Sequence, residues 1–177
     1  MVTVAGFIFP ELGRAPSQDH SDRLTPLSEK DLFVKNITIR KMKKEDVVEI
    51  SAIYSGIIQK TVHPDFNELI EQHAQRAEDI CLVAELDGQI VGFMISYILT
   101  LGFGIEKSAW IATLGVKPEY MGQDIGKNLA NKIFEYYKSE GIENVYTSVR
   151  WDSPDLLSFF KTMGFDRSNF INLRKSI

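Results

Sequence analysis

The stretch Leu114-Gly115-Val116-Lys117-Pro118-Glu119-Tyr120-Met121-Gly122-Gln123-Asp124-Ile125-Gly126-Lys127 decides how this chain is read. Ahead of it an apolar run, Trp110 to Val116, has the character of a buried strand. Behind it Ile125, Leu129, Ile133, Tyr136 and Tyr137 fall on one face of a helix. Pro118 ends the strand, and Gly122 and Gly126 flank the turn. A glycine-bearing turn that opens a helix leaves N–H groups without partners at the positive end of the helix dipole. Such an end suits a phosphate or pyrophosphate. A plain left-handed turn would need the same glycines, so the flanking sequence has to decide between the two.

Working upstream, Ile80 to Leu86 and Gln89 to Leu99 read as two strands joined by Asp87-Gly88, a favoured two-residue hairpin turn. Leu101-Gly102-Phe103-Gly104 makes the next loop, and a third strand runs from about Glu106 to Val116. Three antiparallel strands therefore feed the glycine turn. Before them, Ile37 and Ile39 alternate with Thr38 and Arg40 as a short strand. Lys44-Glu45-Asp46 then opens a helix with Val47, Ile50, Tyr54 and Ile57 on its apolar face, its acidic first turn complementing the dipole. His63-Pro64 interrupts the helical run. Asp65 is placed to cap a second helix, with Phe66, Leu69, Ile70, His73 and Ala77 at helical spacing. Downstream, Gly141 punctuates and Asn144 to Val149 alternates as a strand. Asp152 or Ser153 caps a last helix, Pro154 suits its first turn, and Leu156, Leu157, Phe160 and Met163 form its buried face. Gly164 ends that helix, and Phe165 to Leu173 supplies a final strand or hairpin.

Composition narrows the function classes. A chain of 177 residues can close a substantial core as one domain. We expect residues 1–35 to form a loop-rich N-terminal extension, with three prolines between Pro10 and Ser28, and 36–177 to form the domain. A net charge of -4 argues against a general nucleic-acid binder. No apolar run of roughly 18 residues is present, so no membrane span is expected. The N-terminus lacks the pattern of a secretory signal, which makes a cytoplasmic protein the default expectation. Cys81 is the single cysteine and sits in an apolar run as a packed small hydrophobe. His63 and His73 have no acidic or cysteine partner at ligand spacing in the sequence, so no metal site is expected.

The element order is strand, two helices, three antiparallel strands, glycine turn, long helix, strand, short helix, strands. Over 36–177 it resembles the GNAT superfamily of acetyl-CoA-dependent N-acetyltransferases. Two local matches carry the resemblance. Leu114 to Lys127 looks like the family's cofactor turn, and Phe159-Phe160-Lys161-Thr162-Met163-Gly164-Phe165 looks like its segment closing the last helix. The resemblance implies an α/β (α+β) fold with a mixed, mostly antiparallel central sheet flanked by about four helices. It implies acetyl-CoA as co-substrate with no metal, and an amine acceptor, either a protein N-terminus or a small molecule. No nucleic-acid or membrane partner is expected, and the oligomeric state is left open, a dimer being one option. Carried over by position, Leu114, Gly115 and Val116 would hold the pantetheine and carbonyl. Met121, Gly122, Gln123, Asp124, Ile125, Gly126 and Lys127 would hold the pyrophosphate, and Ser153 and Phe160 would complete the cofactor site.

The sequence also departs from the family pattern. The slots for Arg or Gln, Gly, and Gly or Ala hold Met121, Asp124 and Gly126. A register shifted to start at Gln123 keeps Gln123 and Gly126 but ends on Asn128. Asp tolerates the left-handed turn. Its carboxylate would oppose a pyrophosphate by about 1 kcal/mol when solvated, and Lys127 offsets it. Phe160 stands where many members place a proton-donating Tyr. The strand positions around Ser108 and Trp110, where the family's base usually sits, are not acidic. Glu106, on the same side of that strand by its period of two, is the first candidate for the base and Asp152 the second. The expected reaction is direct attack within a ternary complex, since Cys81 lies on another strand. Two other readings stay open: a non-catalytic acyl-CoA binding or sensing domain, and an interaction module without a cofactor. Tyr54, Ile57, Ile58, His63 and Phe103 would give the acceptor a largely apolar wall, though the same residues suit a core.

Overall fold

The computed structural model describes residues 37–59, 61, 63–76, 79–102 and 105–176. They belong to two compact units, whose described parts are 37–148 and 149–176.

The first unit is built on one five-stranded sheet. Its elements are β1 (Ile37–Lys41), α1 (Val47–Ile58), α2 (Pro64–Gln75), β2 (Ile80–Leu86), β3 (Gln89–Gly102), β4 (Ile105–Val116), α3 (Ile125–Ser139) and β5 (Val145–Thr147). The strands lie in chain order. β1 to β4 are antiparallel neighbours, and β5 alone runs parallel to its neighbour β4. The hairpin between β2 and β3 turns on Asp87 at φ 50° and Gly88 at φ 81°, the two positive values that an Asp-Gly turn supplies.

Both sheet faces are covered where the sequence alternates apolar residues. Cys81, Val83, Phe93 and Ile95 join Val47, Ile50, Ile53 and Ile70 of the first two helices in one buried cluster. On α3, Ile125, Leu129, Ala130, Ile133 and Tyr137 are buried. Each fully buried Ile or Leu contributes on the order of 2 kcal/mol by leaving water. Polar atoms in this core are paired. The Tyr137 hydroxyl lies 3.0 Å from Ser96 Oγ, which donates to the Ile80 carbonyl at 2.7 Å. Burial pulls the Asp46 carboxyl upward, but Arg40 at 2.7 Å and the Lys43 N–H at 2.7 Å pull harder and hold it below the usual carboxylate range.

Several local expectations are corrected. Lys44–Asp46 is a separate 3-10 turn and α1 starts at Val47. Its fully buried stripe is Val47, Ile50 and Ile53, with Tyr54 and Ile57 packed against it only partly buried. The cap of α2 is His63, not Asp65. Proline at position 64 forces residue 63 extended, at ψ 141°, and the His63 ring accepts the Asp65 N–H. Leu69 faces solvent, and Ala77 lies outside the described residues. β3 continues to Gly102, absorbing half of the expected loop, and Phe103 and Gly104 are outside the described residues. On α3 the half-buried Tyr136 gives way to Ala130 in the core. The expected strand Asn144 to Val149 shrinks to Val145–Thr147, because Arg150 already accepts the Ser153 N–H at 3.1 Å in a turn.

The second unit holds α4 (Pro154–Thr162). Its end explains the Phe-Phe-x-x-Met-Gly-Phe pattern physically. Gly164 takes φ 86°, its N–H bonds Lys161, and the Phe165 N–H returns to Phe160 at 3.0 Å. This is a Schellman stop, with Phe160 and Phe165 in edge-to-face contact at 5.0 Å. Of the expected face only Phe160 is buried, while Leu156, Leu157 and Met163 are half-buried. The expected strand over Phe165 to Leu173 is absent. Residues 165–176 carry no regular secondary structure, and the one regular element described in this unit is a helix. Its Phe170, Ile171 and Leu173 are exposed.

Candidate functional site

The site grows out of the place where β4 and β5 part. The two strands pair over Ala109–Val145, Trp110–Tyr146 and Ile111–Thr147. Thr147 Oγ1 donates to the Ile111 carbonyl at 3.0 Å, closing the last paired position. β4 then continues to Val116 with no strand partner on that edge among the described residues. Every second backbone group along such an edge is open to a ligand. On the other edge β4 stays paired with β3, with one extra residue, Ala112, bulged between the pairs Ser96–Ile111 and Ile95–Thr113. Gly115 is needed here. A Cβ would stand 2.7 Å from Ile57 Cδ1 and 2.7 Å from Phe93 Cε1.

From this strand the chain turns sharply into α3. The Lys117 N–H is tied to the Val91 carbonyl at 2.8 Å, and Pro118–Tyr120 makes a 3-10 turn. Met121 at φ -65°, ψ 150° followed by Gly122 at φ 78° gives a type II turn. Asp124 is left-handed, at φ 55° and ψ 12°, and offers no side-chain cap to the helix. The first intrahelical bond is from the Asn128 N–H to the Asp124 carbonyl at 2.8 Å. The N–H groups of Asp124, Ile125, Gly126 and Lys127 therefore have no protein acceptor among the described residues. They sit at the positive end of a 15-residue helix. Beside them, Gln123 Oε1 is the one buried side-chain oxygen or nitrogen without a hydrogen-bond partner among the described residues. Four bare donors and one orphaned acceptor fit a ligand with an anionic group and a donor of its own.

The structure brings Leu114, Gly115, Val116 and Met121 through Lys127 together in the first unit. Ser153, Phe160 and Asp152 belong to the second. Ser153 is the N-cap of α4 without a side-chain bond. Glu106 falls near the start of β4, and its side chain is outside the described residues. Asp152 is exposed and paired with Arg150 through both oxygens, one at 2.7 Å. That pairing holds its carboxyl low, which weakens it as a base. Burial pushes the Cys81 thiol up to about 12, so it stays protonated and inert. His73 does have an acidic partner, which the sequence reading overlooked. Its Nδ1 lies 2.7 Å from Asp79 Oδ2, and both side chains are buried. Among the described residues no group of three or more His, Cys, Asp or Glu is arranged to hold a metal. Thr147 carried no sequence signal, because its partner Ile111 is 36 positions away.

The site thus joins the end of the β4–β5 pairing to an uncapped helix start in a mixed sheet. Residues 47–165 match the acetyltransferase (GNAT) family, and the chain belongs to that family. It is similar to an aminoglycoside acetyltransferase from an uncultured soil metagenomic sample, solved with sisomicin. The TM-score is 0.69 at 21% identity, over 84% of this chain and 99% of that one. An aminoglycoside N-acetyltransferase solved with CoA gives 0.68 at 16% identity, over 80% and 95%. A ribosomal-protein-alanine N-acetyltransferase from Brucella melitensis biovar Abortus 2308 gives 0.65 at 16% identity, over 80% and 99%. These likenesses establish the mixed, mostly antiparallel fold. No helix among the described residues is long and apolar enough to cross a membrane.

Proposed function

We propose that this protein transfers an acetyl group from acetyl-CoA to a primary amine by direct attack in a ternary complex. The observation that carries the proposal is the uncapped start of α3, Asp124 to Lys127, placed at the end of a strand edge that has no strand partner among the described residues. The four N–H groups would take the diphosphate. The open edge of Leu114 to Val116 would take the amide-bearing arm as an added strand. A relative of the same fold was solved with CoA, in line with this assignment. The chemistry then needs positioning more than side-chain help. The amine nitrogen bonds to the thioester carbon, the carbon–sulfur bond breaks, and the thiolate leaves with the proton the amine gives up. Glu106 is the carboxylate we assign to take that proton from the amine and hand it on to the departing thiolate, with Asp152 second because Arg150 already holds it. The acceptor is a protein N-terminus or a small amine, and the site of action is the cytoplasm.

The test is release of CoA thiol in the presence of a panel of amines and peptide N-termini. Cys81 is buried, so a thiol reagent reads the product and not the folded protein. Release that requires both acetyl-CoA and an amine is the expected result. A protein that binds acetyl-CoA and releases nothing across the panel would replace this reading with the second one, a binding or sensing domain. One feature favours that alternative: where the resemblance to the family would put a proton-donating Tyr, position 160 is a Phe.

A further inference from the structure

The face of the sheet that receives α1 and α2 also carries a row of rings that the turn and the open strand edge leave unused. Tyr97 of β3 pairs with Trp110 of β4, and Trp110 pairs with Tyr146 of β5. Register partners project on one face, so three rings stand side by side across strands spaced by about 4.8 Å. All three are half-buried. The rings of Trp110 and Tyr146 are 24° from parallel, with centroids 6.5 Å apart. At the other end Tyr97 is stacked on His73, centroids 4.7 Å apart and 14° from parallel. His73 is fixed by Asp79, which also accepts the Ile98 N–H at 3.2 Å. One end of the row is thus anchored in the core. The other borders the split, since Trp110 and Tyr146 come one residue before Ile111 and Thr147, the last paired position.

The chemistry of the row is uniform. Burial, with Asp79 nearby, raises the Tyr97 phenol, so that ring stays neutral, and Trp110 has no charge to offer. A polycationic acceptor would find no counter-charge on these three side chains, whereas a flat unsaturated group finds stacking surface. We propose that Tyr97, Trp110 and Tyr146 form the acceptor subsite, and that the acceptor is a primary amine carrying an aromatic ring that lies against Trp110. This rests on the reading of the β4–β5 split as the place where the acetyl donor is held.

The experiment uses the full chain with Trp151→Phe. Trp151 is 84% exposed, and with 2 tryptophans in the sequence this leaves Trp110 as the only indole reporter. The protein, saturated with CoA, is titrated with 2-phenylethylamine and with 2-cyclohexylethylamine, which match in reach and apolar bulk but differ in π-character. The expected result is a saturable change in Trp110 emission whose midpoint is roughly three- to ten-fold lower for the aromatic amine. Tyr146→Phe should keep that preference and Tyr146→Leu should lose it. Equal midpoints, or no change with either amine, overturn the proposal. Calorimetry of CoA on the same sample separates the failures. If CoA binds and no preference is seen, only the aromatic subsite falls; if CoA does not bind, the reading beneath it falls as well.

Discussion

Asp124→Asn should tighten CoA binding while making the empty protein slightly less stable. The carboxylate stands at the first residue of the uncapped end of α3, exposed, and makes no capping bond. Asn adopts the left-handed conformation as readily as Asp, so the backbone at φ 55° has no reason to move. In water a unit charge about 4 Å from a phosphate charge opposes it by about 1 kcal/mol. Removing that charge gains about fivefold in affinity, since each 1.4 kcal/mol is roughly tenfold. Against this, an acidic group at a helix start contributes about 0.3–1 kcal/mol through the dipole, and that is lost from the unliganded fold. The assay is isothermal calorimetry with CoA at low ionic strength and again at roughly 0.5 M salt, where screening shortens to a few ångströms. The gain should appear at low salt and fade at high salt. Lys127→Gln should show the opposite sign, weakening CoA with the same salt dependence. If Asp124→Asn binds CoA no better at low salt, the diphosphate does not sit on this helix end and the reasoning is refuted.

Gly115→Ala drives a methyl to 2.7 Å from Ile57 and Phe93, and should cost about 1–3 kcal/mol in urea denaturation; an unchanged midpoint would mean that α1 shifts without penalty. Asp79→Ala leaves the His73 ring and the Ile98 N–H without their acceptor, and a loss of about 3 kcal/mol on the same assay is expected. Cys81 should resist thiol reagents in the folded protein at pH 8 and react fully once unfolded. Because its folded pKa is raised to about 12, its contribution to stability is complete below the ordinary thiol range near roughly 8.5. That contribution is lost as pH climbs from there through about 12. Cys81→Ala should flatten that part of an alkaline denaturation profile, and an identical profile would remove the thiol as its cause. Asp46 works in the other direction. Its folded pKa is lowered, so its stabilisation is present above the ordinary carboxylate pKa and is lost as pH falls below it; Asp46→Asn should reduce the acid sensitivity of the unfolding midpoint.

Most of the first unit could be read from local rules, because each rule is local in its physics. Asp87-Gly88 dictates its own turn, and the spacing of Ile125, Leu129 and Ile133 dictates a face. The left-handed Asp124 was likewise legible, since few other residue types tolerate that conformation. What could not be read depends on partners distant in sequence. Asp79 looks like a loop acid until α2 brings His73 against it. Thr147 looks like any strand residue until β5 lies alongside Ile111. The segment after Gly164 alternates well enough to be taken for a strand, yet alternation alone does not dictate one. Of the candidate site, the turn is visible because backbone geometry writes itself into glycines. The acceptor wall is not, because Tyr54, whose ring stacks on Phe66 at 4.3 Å, and Ile57 serve the core, and the rings bordering the split come from three strands.

Ala112 has a consequence larger than its side chain. By simple alternation Trp110 would share its side with 112, 114 and 116; the extra residue instead puts it in step with Thr113 and Gly115. Parity along β4 is thus inverted halfway, and the two halves can be tuned by different neighbours: the first by the row of rings, the second by the pressure of Ile57 and Phe93. Excising this single alanine would leave Trp110, Thr113 and Gly115 on one side in plain alternation, because Ile111 and Thr113, the residues flanking it, already pair with the consecutive Ser96 and Ile95. A one-residue gap is therefore borne at Ala112, whereas the same gap at a paired position of β4 would turn every side chain beyond it to the opposite face.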